Sequence, residues 1–248
     1  MIIAHISDIH YSQGWMFNRK KLERALDIVN GLEPDIVLIT GDLTEWGLHS
    51  EFTGIKDILD SMDMEYLAVA GNHDARTNGY KVYQQMFCEH RDRFFWEKYD
   101  DYALIGLDSS EPDRDEGHVG REQMRWLEGV LKDCENMGLV PIIFMHHHLI
   151  PIPDTGRERN VLVDAGDVLK LIDEHKVPLV LMGHRHVPWV WRLNDCTLIH
   201  ASTVSCERTN ARNSFNIVDL KKKKIVCHRV DVLSGERKKI VDCCMGVI

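Results

Sequence analysis

Short apolar runs, each ending abruptly in glycine, aspartate or histidine, recur along this chain and point to a layered fold of buried strands. "IIAHIS" is followed by "DIH", "DIVLIT" by "GD", "EYLAVA" by "GNHD", "PIIFM" by "HHH" and "PLVLM" by "GHRH". Each run has the length and the Ile, Val and Leu content of a buried strand, and "YALIGL" is a sixth of the same kind. Between them lie helical periods. Leu22, Ala25, Leu26 and Val29 form one apolar stripe, with Asn18 placed to cap it and Gly31 and Pro34 to stop it. Phe52, Ile55, Leu59 and Met62 form a second, and Met124, Leu127, Val130, Leu131 and Cys134 a third. Val168, Leu169 and Ile172 make a shorter fourth. All four read as core faces.

From about residue 188 the pattern changes to "WVWRL", "CTLIHA", "SFNIVDL" and "KIVCHRVDV", separated by turn residues such as Asn194-Asp195. This predicts a C-terminal β-meander belonging to the second sheet. The most economical fold is α/β, with two mixed sheets packed face to face and helices covering the outside. At 248 residues, with no repeat, low-complexity tract or linker, the chain is expected to form one domain spanning 1–248.

Composition removes several functions. No apolar run approaches the roughly 18 residues of a membrane span, and polar groups interrupt the N-terminal stretch where a signal peptide needs a clean apolar segment. Seven scattered cysteines without a C-x-x-C pair read as reduced thiols, so the expectation is a soluble, cytoplasmic protein with no membrane partner. A homo-oligomer is compatible with this. The net charge of −9 argues against binding a nucleic-acid backbone, and the one basic run, Lys221 to Lys224, reads as a solvated hairpin turn.

In open α/β sheets the ligand crevice lies beyond the carboxyl ends of parallel strands, so the five polar strand ends are expected to meet in one place. Half of the 14 histidines sit in them. In Asp8-x-His10 and His184-x-His186, an i, i+2 spacing in extended chain would point both side chains the same way. The glycines before Asp42, Asn72 and His184 permit tight turns and close backbone approach. Carboxylate, imidazole and amide donors together suit divalent ions such as Mn, Fe, Co or Zn, and the lack of a thiolate set argues against a structural zinc finger. Asp42 is the candidate to bridge two ions. A lone "GD" after a strand is a common turn, and "DIH" or "GHRH" alone points to function more often than that, but five such motifs at five strand ends make coincidence a poor account.

The ordered set "DIH", "GD", "GNHD", "MHHH", "GHRH" resembles the calcineurin-like metallophosphoesterases, over residues 1 to about 205. The resemblance implies a four-layer α/β/β/α sandwich with a two-metal site at the strand ends. It implies that Asp8, His10, Asp42 and His186 hold one metal, and that Asp42, Asn72, His146 and His184 hold the other. His73 becomes the non-ligand histidine that assists the leaving group, and Asn72 a metal ligand with a phosphate oxygen in reach. His147 and His148 are left either as groups lining the substrate pocket and supporting the ligands, or as plain loop residues. The chain departs from the family pattern at His148-Leu149, where proline is common, and at Asp74, where glutamate is common.

Two divalent ions roughly 3.5 to 4 Å apart can hold a bridging hydroxide, neutralise phosphate oxygens and align in-line attack at phosphorus. Within the family, "GDLTEWG" and "GLDSSEPDRDEGHVGREQMRWLEGVL" most resemble class III cyclic-nucleotide and related phosphodiesterases. The implied activity is hydrolysis of cyclic nucleotides or related small diesters. Arg157, Arg159, Arg208 and Arg212, in loops that would face substrate, could meet an anion. A phosphomonoesterase or phosphoprotein phosphatase would use the same metals. A nuclease would add a DNA-binding region that the sequence does not show. A metal-free interaction scaffold of the same fold would be expected to have eroded ligands, and none of the eight matched residues is missing.

Overall fold

The computed structural model describes residues 1–88, 91–156, 161–208, 211–221 and 224–245. In chain order the elements are β1 (Ile2–Ile6), α1 (Arg19–Asn30), β2 (Ile36–Thr40), α2 (His49–Leu59), β3 (Tyr66–Val69) and α3 (Gly79–Phe87). There follow β4 (Phe95–Tyr99), β5 (Tyr102–Gly106), α4 (Gly120–Met137), β6 (Val140–Phe144), α5 (Ala165–Glu174) and β7 (Leu179–Met182). Five strands close the chain: β8 (Trp189–Leu193), β9 (Cys196–His200), β10 (Ser214–Lys221), β11 (Lys224–Asp231) and β12 (Arg237–Cys244). No helix among the described residues is long and apolar enough to cross a membrane.

Two six-stranded mixed sheets result, in the orders β12-β11-β10-β1-β2-β3 and β4-β5-β6-β7-β9-β8. β1, β2 and β3 run parallel in the first, and β5, β6, β7 and β9 in the second. Strand alternation explains the layers. In β2, Ile36 and Leu38 point between the sheets, where they meet Leu104, Ile142, Phe144 and Leu181 of the second sheet. Val37 and Ile39 point the other way, onto Leu22, Ala25 and Val29 of α1 and Phe52 and Ile55 of α2. The second sheet repeats the scheme, with Ile105, Ile143 and Val180 packed on Leu127 and Leu131 of α4 and on Val168 and Ile172 of α5. Central strands are therefore apolar on both faces, which is why they read as continuous apolar runs.

The caps and stripes of the helices fall where the sequence puts them. Asn18 caps α1 by accepting from the Lys21 N–H at 3.2 Å. Met62 lies beyond the end of α2 but still packs on the same core. Lys221 stands opposite Lys224 in the β10/β11 register, and Lys222 and Lys223 between them lie outside the described residues. The C-terminal meander needs correction. It does not join the second sheet as a block: only the β8/β9 hairpin does so, whereas β10, β11 and β12 cross to the first sheet, where β10 pairs antiparallel with β1. The alternation in those strands is equally compatible with either sheet, so the local pattern cannot choose between them.

Toward the carboxyl ends of the parallel strands the layer between the sheets turns polar. His5 of β1 is fully buried there. The Asn216 amide nitrogen can only donate, so the 3.3 Å contact makes His5 Nδ1 an acceptor. His5 Nε2 then carries the proton and donates to Thr40 Oγ1 at 3.0 Å. This pattern requires a neutral imidazole, and burial pulls its pKa down to about 3. Unfolded, the same group binds a proton near pH 6.5, so His5 takes stability away as pH falls from about 6.5 toward 3. His5→Gln is expected to flatten the pH dependence of metal-free unfolding between pH 6 and 4, by up to ~1.4 kcal/mol per pH unit. Urea denaturation across that range measures it.

Candidate metal centre and substrate cleft

The loop after β1 carries Asp8 and His10, the loop after β2 Asp42, and the loop after β3 Asn72 and His73. His146 follows β6, and His184 and His186 follow β7. All are brought together at one end of the two sheets. The backbone route differs from the extended chain expected for the i, i+2 pairs. Asp8, His10, Asp42, His184 and His186 have φ of 53°, 52°, 52°, 74° and 55°, in the left-handed region that non-glycine residues rarely occupy. Each such residue costs on the order of 1–3 kcal/mol unless its surroundings over-determine it.

Those surroundings are hydrogen-bonded loops laid edge to edge. Asp8 N–H donates to the Gly41 carbonyl at 3.1 Å, and His10 N–H to the Asp42 carbonyl at 2.9 Å. His184 N–H donates to the Asp8 carboxylate at 3.1 Å, and Gly183 N–H to the His146 carbonyl at 3.0 Å. Two glycines are required by close approach. A Cβ on Gly71 would overlap the Asp42 carboxylate, and one on Gly183 would overlap the Ser7 hydroxyl. Asp74 ties two loops together: it accepts from Leu43 N at 3.0 Å, Thr44 N at 2.8 Å, Thr44 Oγ1 at 2.8 Å and Gly71 N at 2.9 Å. Burial, with Asp42 nearby, pushes its carboxyl up to about 7.

The side chains converge in two groups that share Asp42. In the first, His186 Nε2 lies 3.2 Å from Asp8 Oδ1, and His10 Nε2 lies 2.9 Å from His186 Nε2 and 3.4 Å from Asp42 Oδ2. In the second, His146 Nε2 lies 3.4 Å from that same Asp42 oxygen, 3.1 Å from Asn72 Oδ1 and 3.3 Å from His184 Nδ1. Asn72 Oδ1 and His184 Nδ1 are 3.0 Å apart. Ring orientation is set from behind: His146 Nδ1 donates to the Thr40 carbonyl at 2.7 Å, and His10 Nδ1 meets Glu45 at 3.1 Å. Burial opposes charge on every ring here. Even so, Asp42 holds His146 at about 9 and Asp8 holds His186 at about 10, while His10 and His184 are driven well below the ordinary histidine value. Although burial alone would raise the Asp42 carboxyl, the charged His146 beside it keeps it well below the usual range. Two carboxylates thus face two positive charges, the balance that a cation site needs.

Beside the cluster, His73 N–H donates to Asp42 Oδ1 at 2.8 Å; His73 Nδ1 donates to the Glu45 carbonyl at 2.8 Å, with an Arg76 guanidinium nitrogen 2.9 Å from the same Nδ1. Its Nε2 is left for Arg208, 3.1 Å away. Arg208 also pairs with Glu45. Burial lowers the pKa of His73; Asp42 opposes this and Arg76 adds to it. These groups floor a cleft of about 620 Å³ whose rim carries Arg76, Arg185 and Arg208. Asp115 stands at the rim and accepts from Asn72 Nδ2 at 3.1 Å and Arg76 at 2.9 Å, which turns the Asn72 amide oxygen toward His146 and His184.

Asn72 and His73 line the cleft, but His147 does not. His147 is fully buried, accepts from Ser109 Oγ at 2.9 Å and donates from Nε2 to the Asp115 carbonyl at 3.2 Å, so it anchors the loop that presents Asp115. The triplet after β6 splits its faces, sending His146 to the cluster and His147 behind it; His148 stacks against the His184 ring at 5.5 Å. Arg208 lines the cleft, Arg212 lines a neighbouring concavity, and Arg157 and Arg159 lie outside the described residues. Glu45, Arg76 and Asp115 carry no sequence signal of this kind, and Asp74 stands out only as a departure from the family pattern.

The sequence profile of the calcineurin-like phosphoesterases matches residues 1–188, and the chain belongs to that family. A probable cyclic nucleotide phosphodiesterase of Xenorhabdus bovienii is 24% identical over 245 residues, covering 88% of this chain and 95% of that protein. A probable glycerophosphodiester phosphodiesterase of Arcobacter nitrofigilis is 26% identical, covering 75% and 72%. Among solved structures, a dimetal phosphatase from Danio rerio superposes with a TM-score of 0.76 at 14% identity, over 97% of this chain and 98% of that one. The last likeness establishes the shared α/β/β/α fold.

Removing the Asp74 carboxylate strands three buried N–H groups and a hydroxyl at once. Asp74→Ala is expected to cost at least ~2 kcal/mol of stability, since each stranded buried donor costs about 1–3 kcal/mol. The urea midpoint of the metal-free protein reads this directly.

Proposed function

We propose that the protein is a two-metal-dependent phosphoesterase that favours small phosphodiesters, cyclic nucleotides or glycerophosphodiesters among them. The observation that carries this is the single Asp42 oxygen 3.4 Å from a histidine nitrogen of each group. Asp8, His10, Asp42 and His186 would hold one ion, and Asp42, Asn72, His146 and His184 the other. The donors fit: imidazole nitrogens, carboxylate oxygens and an amide oxygen point at one another at 2.9 to 3.4 Å, an arrangement that repels without protons or cations between them. Borderline divalent ions, Mn, Fe, Co or Zn, suit that mixture. The chain is read as one working unit over 1–248, because β10 closes directly on β1 beside the site.

When bound, two such ions supply Lewis acidity that activates water and neutralises phosphate oxygens. The protein's own groups do the rest. Arg208 and Arg76 offer guanidinium donors to non-bridging oxygens above the cluster, and Arg208 is fixed by Glu45. Asn72, held by Asp115, orients its amide oxygen inward. His73 is placed to pass a proton from Nε2 to the leaving oxygen, since its Nδ1 is committed to the Glu45 carbonyl. In the free protein the neighbouring guanidiniums oppose a charge on His73, and an anionic phosphate between them would offset that opposition. The names of the bacterial relatives favour diesters over monoesters, and the retained donor set disfavours a scaffold without metals.

Two measurements test the reading. Assayed with Mn, bis-p-nitrophenyl phosphate is expected to be hydrolysed with a higher kcat/KM than p-nitrophenyl phosphate, and EDTA to abolish both; full activity in EDTA would refute the metal mechanism. A general acid matters most when the leaving group is poor. His73→Ala is therefore expected to slow diesters with alkoxide leaving groups by about 10² or more, and p-nitrophenyl esters by clearly less. Equal losses on both would remove the acid role.

A further inference from the structure

Beside the cleft lies a second concavity of about 470 Å³, and Ala211 forms part of both walls. It sits at the end of the layer between the sheets. Along β11, Ile225 and Cys227 point into that layer, and Arg229 is the next residue on the same face, where the pattern would continue with an apolar side chain. Its guanidinium has no hydrogen-bond or ion-pair partner among the described residues, and its Nε is buried without one. Burial accordingly lowers its pKa. The residue directly opposite on β12 is Lys238, also in the wall and also without an ion pair among the described residues. Like charges facing each other across neighbouring strands repel.

The acidic residues nearby do not relieve this. Asp231 spends Oδ1 on its own turn, accepting from Leu233 N at 3.0 Å, Ser234 N at 2.8 Å and Ser234 Oγ at 3.0 Å. The remaining attraction of its carboxylate is felt by Arg212. Glu236 is exposed and makes no ion pair with Arg229 or Lys238. In a chain of net charge −9, an unpaired half-buried cation beside a second cation, both facing open volume, is a site without its counter-charge.

We propose that this concavity is a second anion site, in which Arg229 and Lys238 hold a phosphate or phosphomonoester group. The anion is either the distal phosphate of a substrate whose diester occupies the candidate metal centre, or a separate phosphate compound. Only the first source rests on the proposed diesterase activity. A planar guanidinium paired with a point-charge ammonium suits a tetrahedral anion's several oxygens.

Equilibrium dialysis of the metal-loaded protein with labelled inorganic phosphate tests the site. Two classes of phosphate site are expected in the wild type. Arg229→Met is expected to weaken one class by about tenfold or more while leaving hydrolysis of bis-p-nitrophenyl phosphate, which has no second anionic group, within about twofold. Lys238→Met, at an exposed position, is expected to act in the same direction. A diester carrying an additional terminal phosphate distinguishes the sources. A roughly tenfold loss of kcat/KM on that substrate in Arg229→Met assigns the site to the substrate, and an unchanged value assigns it to a free anion. A wild type with one class of phosphate site, or a second class that survives both substitutions, would overturn the proposal. Absence of hydrolysis with the second class intact would reject the diesterase reading and leave this site standing.

Discussion

The Asp42 carboxylate is the interaction on which the rest of the site depends. One of its oxygens faces His10 and His146 at 3.4 Å each, and the other accepts the His73 N–H at 2.8 Å, so three of the five loops are referred to one side chain. The β-sheets bring the loops to the same end, but sheets alone set positions only to within several ångströms. Asp42 and the ladder of backbone bonds from Asp8 and His10 to Gly41 and Asp42 set them finely. Asp74 then fixes the Asp42 loop to the Asn72 loop from beneath.

This arrangement concentrates unfavourable terms. Five of the converging residues adopt left-handed φ, the buried rings are crowded at 2.9 to 3.3 Å, and buried carboxylates face them. Separately, each feature would be destabilising. Together they describe donors held in readiness for cations, with protons on His146 and His186 filling that electrostatic role in the metal-free protein. Stability is supplied elsewhere, by three apolar layers packed between and outside the sheets.

Much of this was legible in the sequence because burial on both faces turns a central strand into an unbroken apolar run, and the polar residue that ends it is then conspicuous. β1, β2, β3, β6 and β7, and the residues Asp8, His10, Asp42, Asn72, His73, His146, His184 and His186, were all located in this way. α3 and β4 were not, since "GYKVYQQMF" and "FWEKY" mix polar and aromatic residues, and β4 lies at the edge of its sheet. The crossover of β10 to the first sheet was hidden for a different reason: register and partner are decided by packing at long range, and alternation is the same in either sheet. His147 illustrates the limit at single-residue scale. Its neighbour His146 is indistinguishable from it in composition, and only the turn after β6 sends one ring to the cluster and the other to Ser109 and Asp115. Asp115 itself gave no signal, because an aspartate in an acidic loop is ordinary until its carboxylate is seen on Asn72.

If Asp42 serves two ions at once, removing its charge should empty both positions, and the number of bound metal ions reports this. Elemental analysis of Mn-loaded protein, after removal of free metal, is expected to give about two ions per chain in the wild type and far fewer than one in Asp42→Asn. His186→Ala and His184→Ala, which each touch one group, are expected to retain close to one. Retention of two ions by Asp42→Asn, or loss of both by either single-group variant while Asp42 keeps its position, would contradict the shared-carboxylate account.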